Sequence, residues 1–239
     1  MKIASAQIEV TVGDINGNLQ KHLEMITTAF ENKVDLIVFP EMSLTGYCRK
    51  EGEKLAVNQS NPEIIQLKEK AQEYNLVIIV GAPIQMKDKL YIGSFILLAN
   101  GDIEIYIKQF LHTGEDEMYS SSFDFDPQIK IKGETISLAI CADIDKKEHP
   151  ANAKKNNCSL YIPSIFFTKK GIDEGHDLLS KYAKKHQMSI LMSNYSGFVW
   201  GLESGGKSGF WDSNGQLISH LGSDHEGLLI IEKKGGIWQ

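Results

Sequence analysis

Two short runs with no polar alternation constrain this chain most: Asp35–Phe39 (DLIVF) and Leu76–Gly81 (LVIIVG). An apolar run of that length suits a strand buried on both faces, and so a sheet covered by helices. Each run follows an amphipathic stretch. Leu19, Leu23, Ile26 and Phe30 recur at helical spacing over about 18–32, and Ile64, Leu67, Ala71 and Tyr74 do so over 61–74. Asn61-Pro62 predicts an N-cap with proline at the first helical position. The opening residues 2–10 form a further buried strand, and residues 40–60 read as polar and irregular.

The pattern then changes. Two β-rich runs, 90–99 and 102–108, flank Asn100-Gly101, which predicts a hairpin with a type I′ turn. A long polar loop over 109–127 precedes strands near 128–132 and 135–141. A helix at 148–156, a strand at 158–162, a helix at 173–187 and a strand at 189–194 follow. Short strands near 207–212, 216–220 and 227–232 close the chain, with Ser213-Asn214-Gly215 as a turn. No repeat or linker divides it, so one layered α/β domain over 1–239 is expected, with antiparallel neighbours imposed by the hairpins.

The net charge of −6 argues against nucleic acid or an acidic membrane surface as the main partner. No run approaches the roughly 18 apolar residues of a membrane span, and the N-terminus reads as a strand, not a signal peptide. Cys48, Cys141 and Cys158 are odd in number and widely spaced, without a CxxC pair. That excludes a disulfide framework or structural zinc site and places the protein in the cytoplasm.

Three reactive side chains stand at strand ends: Glu41 after 35–39, Lys108 closing 102–108 and Cys141 closing 135–141. Ligands of open α/β sheets gather beyond carboxyl strand ends. A thiol needs a base to become a nucleophile, a desolvated carboxylate can serve, and an ammonium can stabilise an oxyanion. The backbone N–H of Ala142 is a second oxyanion donor. This set makes an acyl-transfer site.

Along nearly its whole length the chain resembles the nitrilase superfamily of carbon–nitrogen hydrolases. The resemblance rests on Ala6-Gln7, the run Phe39-Pro40-Glu41-Met42-Ser43-Leu44-Thr45-Gly46-Tyr47, Lys108 ahead of Leu111, and Gly114-Glu115. It continues through Leu138-Ala139-Ile140-Cys141-Ala142-Asp143, Gly206-Lys207-Ser208 and Asp212-Ser213-Asn214-Gly215. It implies a four-layer α-β-β-α sandwich with two mixed β-sheets, usually paired as a homodimer. It assigns Glu41 as general base, Lys108 as oxyanion stabiliser, Cys141 as nucleophile and Glu115 as a second glutamate that orients the site. No metal or organic cofactor takes part, and the substrate is a small amide or related C–N compound, a nitrile or an N-acyl or carbamoyl compound included. Tyr47 and Phe166 are the expected substrate contacts, together with Ala142. The chain departs from many relatives in Ala142, in Lys146-Lys147-Glu148 where Phe-Pro-Glu is common, and in Ile107 where an arginine is common. It also lacks the long tail by which some nitrilases assemble.

Two rival readings exist. A cysteine–histidine pair could use His149 or His112; His112 is expected at the pocket mouth rather than as the base. Gly201 to Ser208 fits the GxxxxGK[ST] phosphate-loop pattern, but Gly209-Phe210-Trp211 reads as a strand where that loop needs a helix. Cys48 and Cys158 read as core.

Overall fold

The computed structural model describes residues 1–49 and 51–239. Its first half builds one sheet. β1 (Lys2–Gln7), β2 (Leu36–Val38) and β3 (Val77–Met86) lie parallel in that order. The crossovers are α1 (Ile15–Glu31) and a segment holding the short α2 (Gly52–Leu55) and α3 (Pro62–Glu73). Asp14 caps α1 by accepting the Gly17 N–H at 3.0 Å. Asn61 precedes α3 in the cap position, yet its side chain accepts from Asn58 N–H at 2.9 Å. Pro62 therefore opens that helix without a side-chain cap.

β4 (Lys89–Leu97) and β5 (Ile103–Ile107) add antiparallel strands at one edge. The hairpin between them forms as expected, but not with a type I′ turn. Gly101 alone of the two turn residues has positive φ, at 90°, and its N–H closes the turn on Leu98 O at 2.9 Å. Two reversals return β5 to the direction of β3, so Lys108 leaves the sheet at the edge where β2 delivers Glu41.

The second half repeats the plan. β6 (Ile129–Ile131) pairs antiparallel with β7 (Glu134–Ile140), and β7, β8 (Leu160–Ser164) and β9 (Ser189–Met192) run parallel. The crossovers are a 3-10 turn (Cys141–Asp145) with α4 (Glu148–Lys155), and α5 (Ile172–His186). A small separate hairpin of β10 (Phe198–Val199) and β11 (Leu202–Glu203) follows, which sequence periodicity is too short to reveal. β12 (Gly209–Trp211) and β13 (Leu217–His220) complete a six-stranded sheet. β14 (Gly227–Lys234) and β15 (Ile237–Trp238) cross back to make the first sheet seven-stranded.

The sheets stack face to face, which explains why their strands are apolar on both sides. Ile136, Leu138, Ile140, Leu160 and Ile162 join the core that holds Ile3, Ile37 and Ile79 of the other sheet. The alternate residues Ala139 and Tyr161 face α5 through Leu179 and Ala183 in a second core. With α1 and α3 outside the seven-stranded sheet and α4 and α5 outside the six-stranded one, the order is α-β-β-α.

Within residues 40–60, Pro40 to Cys48 are irregular as expected, and they are buried. The segment lies across β3, where Leu44 N–H donates to Gly81 O at 3.0 Å and any Cβ on Gly81 would collide with the backbone of Pro40 and Met42. Among the described residues, no helix is long and apolar enough to cross a membrane.

Candidate active site

The segments after β2, β5 and β7 converge where the two sheets meet. Lys108 and Glu41 are both wholly buried, and Lys108 Nζ lies 2.7 Å from Glu41 Oε1. Glu115 sits in the loop after β5 with its N–H on His112 O at 3.0 Å, and both its oxygens stand 2.9 Å from Lys108 Nζ. The Glu115 carboxylate also accepts from Tyr47 Oη at 2.7 Å and from His112 N–H at 2.8 Å. Glu115 is thus built into the loop, whereas its acidic neighbours Asp116 and Glu117 are exposed.

Cys141 begins the 3-10 turn in left-handed backbone, with φ 43°. That conformation is costly for a side chain larger than glycine and is typical of residues held for function. Asp143 fixes the turn. Its Oδ2 accepts Ile140 N–H at 2.8 Å and Tyr106 Oη at 2.7 Å. Its Oδ1 accepts Gln109 N–H and Phe110 N–H, both at 2.9 Å. One carboxylate thereby ties the strand end carrying Lys108 to the strand end carrying Cys141.

A cavity of about 350 Å³ opens over this cluster, lined by Glu41, Tyr47, Cys141 and Phe166 among others. Ala142, expected as a substrate contact, is buried and is not among the residues that line it. His112 lines the cavity as well, and its Nε2 lies 3.2 Å from Cys141 Sγ. His149 is bonded instead to Tyr106 and Tyr161. Sequence reasoning also missed Arg49, Thr113, Thr168 and Leu202 on the cavity wall. They come from loops, and spacing carries no signal for which loop residues converge.

The ionisations follow from burial and charge. Burial raises the Glu41 carboxyl to about 7, against the opposing pull of Lys108, with Glu115 adding to the rise. Burial alone would lower Lys108, but Glu41, Cys141 and Glu115 overcome it and hold the ammonium charged. Burial likewise pushes Glu115 up, yet Lys108, Tyr47 and the His112 N–H bring it below the ordinary range. Burial and Glu41 push the Cys141 thiol well up, and burial with Lys108 lowers His112. The resting cluster therefore holds an ionised Glu115–Lys108 pair, a poised Glu41, a neutral thiol and a neutral imidazole.

The other motifs do not build sites. Residues after Lys207 form β12, not a helix, and Lys207 Nζ pairs with Asp173 at 2.8 Å. Among the described residues, no group of three His, Cys, Asp or Glu side chains is arranged to hold a metal ion. Cys48 and Cys158 are buried.

Comparison with known proteins places these features. The model of the carbon-nitrogen hydrolase family matches residues 2–234. A glutamine-dependent NAD(+) synthetase of Aquifex aeolicus is 28% identical over 149 residues, 60% of this chain and 26% of that protein. A protein N-terminal amidase of Schizosaccharomyces pombe is 29% identical over 178 residues, 68% of this chain and 62% of that protein. The chain thus spans less than two thirds of either relative. The solved structure of an amidase from Nesterenkonia sp. AN1 superposes with a TM-score of 0.90 at 20% identity, covering 98% of this chain and 93% of the amidase. The two stacked mixed sheets are its fold. With the family model spanning nearly all of its length, the chain belongs to the carbon-nitrogen hydrolase family.

Proposed function

We propose that the protein is a cysteine-nucleophile amidase that hydrolyses a small carboxamide through a thioester, with Glu41, Lys108 and Cys141 as its catalytic residues and Glu115 in support. The observation that carries this reading is the buried Glu41–Lys108–Glu115 cluster beneath a cavity that Cys141 also lines.

In the proposed sequence, Cys141 Sγ attacks the amide carbon as its proton passes to Glu41. Lys108 and the Ala142 N–H stabilise the oxyanion. The C–N bond breaks as Glu41 returns the proton to the leaving nitrogen, and ammonia or an amine departs. Water then attacks the thioester with Glu41 again as base, releasing the carboxylic acid and restoring the thiol. Glu115, held below the usual range, stays ionised throughout and anchors the Lys108 ammonium. We take residues 1–239 as one catalytic domain that acts in the cytoplasm as a homodimer, a pairing that sedimentation would check.

Ammonia release from a panel of small amides, ureas and nitriles tests the reaction. Amides are expected to be turned over, and Cys141→Ala to abolish turnover. Retained hydrolysis by that variant would overturn the proposal, and release from nitriles alone would move it to a nitrilase.

A further inference from the structure

Arg49 lines the same cavity as Cys141. Its guanidinium is held in place by several groups. Nε donates to Tyr47 Oη at 3.0 Å, Nη1 donates to the Thr113 carbonyl at 3.2 Å, and the group lies over the Trp200 ring at 4.5 Å from the centroid. Gly114 makes room for it. A Cβ there would stand 3.1 Å from Nη1, and the φ of 86° independently favours glycine.

These contacts fix the guanidinium without neutralising it. Among the described residues, no carboxylate oxygen lies within ion-pair distance of Arg49. Glu115 is reached through the Tyr47 hydroxyl and is already paired with Lys108. A guanidinium pinned by a hydroxyl, a carbonyl and an aromatic face keeps donors of its planar fork for a ligand. The partner that matches that fork is a carboxylate. Tyr47, Phe166, Trp200 and Leu202 give the cavity that Arg49 and Cys141 share an apolar part of its wall, which suits a short carbon chain.

Building on the amidase reading, we infer that the substrate is an amide that also bears a carboxylate, bound with its carboxylate on Arg49 and its amide carbon at Cys141. Trp200 and Leu202 belong to the β10–β11 hairpin, so that hairpin closes the cavity over the carboxylate end. The class includes ω-monoamides of short dicarboxylic acids.

The test compares kcat/KM for ammonia release from succinamate and glutaramate with that from 4-methylpentanamide and 5-methylhexanamide, in which isopropyl replaces the carboxylate. The wild-type protein is expected to prefer the carboxylates by about ten- to a hundredfold, the range of one charge-assisted contact. Arg49→Gln should bring that ratio close to one, mainly through KM of the carboxylates, and Arg49→Lys should retain part of it. A wild-type ratio of one or less, with the neutral amides hydrolysed, would overturn the carboxylate assignment and leave the amidase reading standing. An equal loss on both series in Arg49→Gln would also overturn it, since Arg49 would then only steady Tyr47. Absence of release from every amide would overturn both. Should Arg49→Gln fail to fold, the wild-type ratio and Arg49→Lys still decide.

Discussion

Glu41 meets Lys108 through Oε1, while its buried Oε2 has no hydrogen-bond partner among the described residues. An unmet carboxylate oxygen is costly to bury, and here it is the atom free to take a proton. The carboxyl is raised to about 7, so below that pH it already carries a proton and cannot accept one from the thiol. kcat/KM should therefore rise with pH and reach half its plateau near 7, measured on the free enzyme at low substrate. The stability sign runs the other way. The native state binds this proton more tightly than the unfolded chain, so the contribution favours folding below the ordinary carboxylate range and is lost as pH rises through 7. His112 is the competing base, 3.2 Å from Sγ but with a lowered pKa beside Lys108. Glu41→Gln should cost roughly 10²- to 10⁴-fold in kcat/KM and remove the acid limb. His112→Gln should cost about tenfold or less and leave the limb near 7; a reversal of those two results would make His112 the base. The sequence made Glu41, Lys108 and Cys141 legible because each closes an apolar strand. Arg49 and the thiol contact of His112 were not legible, because they depend on how two loops fold over one another.

At the scale of elements, the site is a problem of aligning strand ends, and Asp143 addresses it. Its carboxylate takes Gln109 and Phe110 N–H from the segment after β5 and Ile140 N–H from the end of β7. An amide in its place presents N–H groups to backbone N–H groups, so Asp143→Asn leaves buried donors unmet at a cost of about 2 kcal/mol. For a chain of this size that lowers Tm by roughly 4–8 °C. Because Lys108 and Cys141 move relative to one another, kcat/KM should fall even at temperatures where the variant is fully folded by circular dichroism. Unchanged kinetics in the folded variant would mean that the clamp is dispensable. Long elements were legible in the sequence since their apolar spacing is strict: α3 and α5 lie within a residue or so of expectation. β10, β11 and β15 were not, because two-residue strands carry no period. The burial of the irregular run 40–48 was not legible, because it comes from the two sheets closing over it, which no local pattern records.

For the whole molecule, Glu41 and Cys141, the proposed base and nucleophile, follow strands of different sheets, so their separation depends on how the sheets are registered. Hydrophobic stacking is non-directional and tolerates sliding, whereas hydrogen bonds between the sheets do not. Three buried serines supply such bonds: Ser5 Oγ to the Met192 carbonyl at 2.8 Å, Ser193 Oγ to the Ala6 carbonyl at 2.7 Å, and Ser164 Oγ to the Phe39 carbonyl at 2.9 Å. Tyr195 Oη adds a bond to the carbonyl of Glu41 itself. Ser164 bridges the two segments that carry Glu41 and Cys141. It pairs in register with Ile140, the residue before Cys141, and it grips the segment that leads into Glu41. Ser5 grips Met192 in β9 instead. Removing either hydroxyl deletes one buried hydrogen bond between the sheets, so Ser164→Ala and Ser5→Ala should each cost about 1 kcal/mol and lower Tm by roughly 2–4 °C. Their kinetics should separate. Ser164→Ala should lower kcat/KM several-fold more than Ser5→Ala does, although the two are equally destabilised. Equal kinetic losses would show that registry acts through the stack as a whole; a larger loss in Ser164→Ala ties the distance between Glu41 and Cys141 to that single bridge.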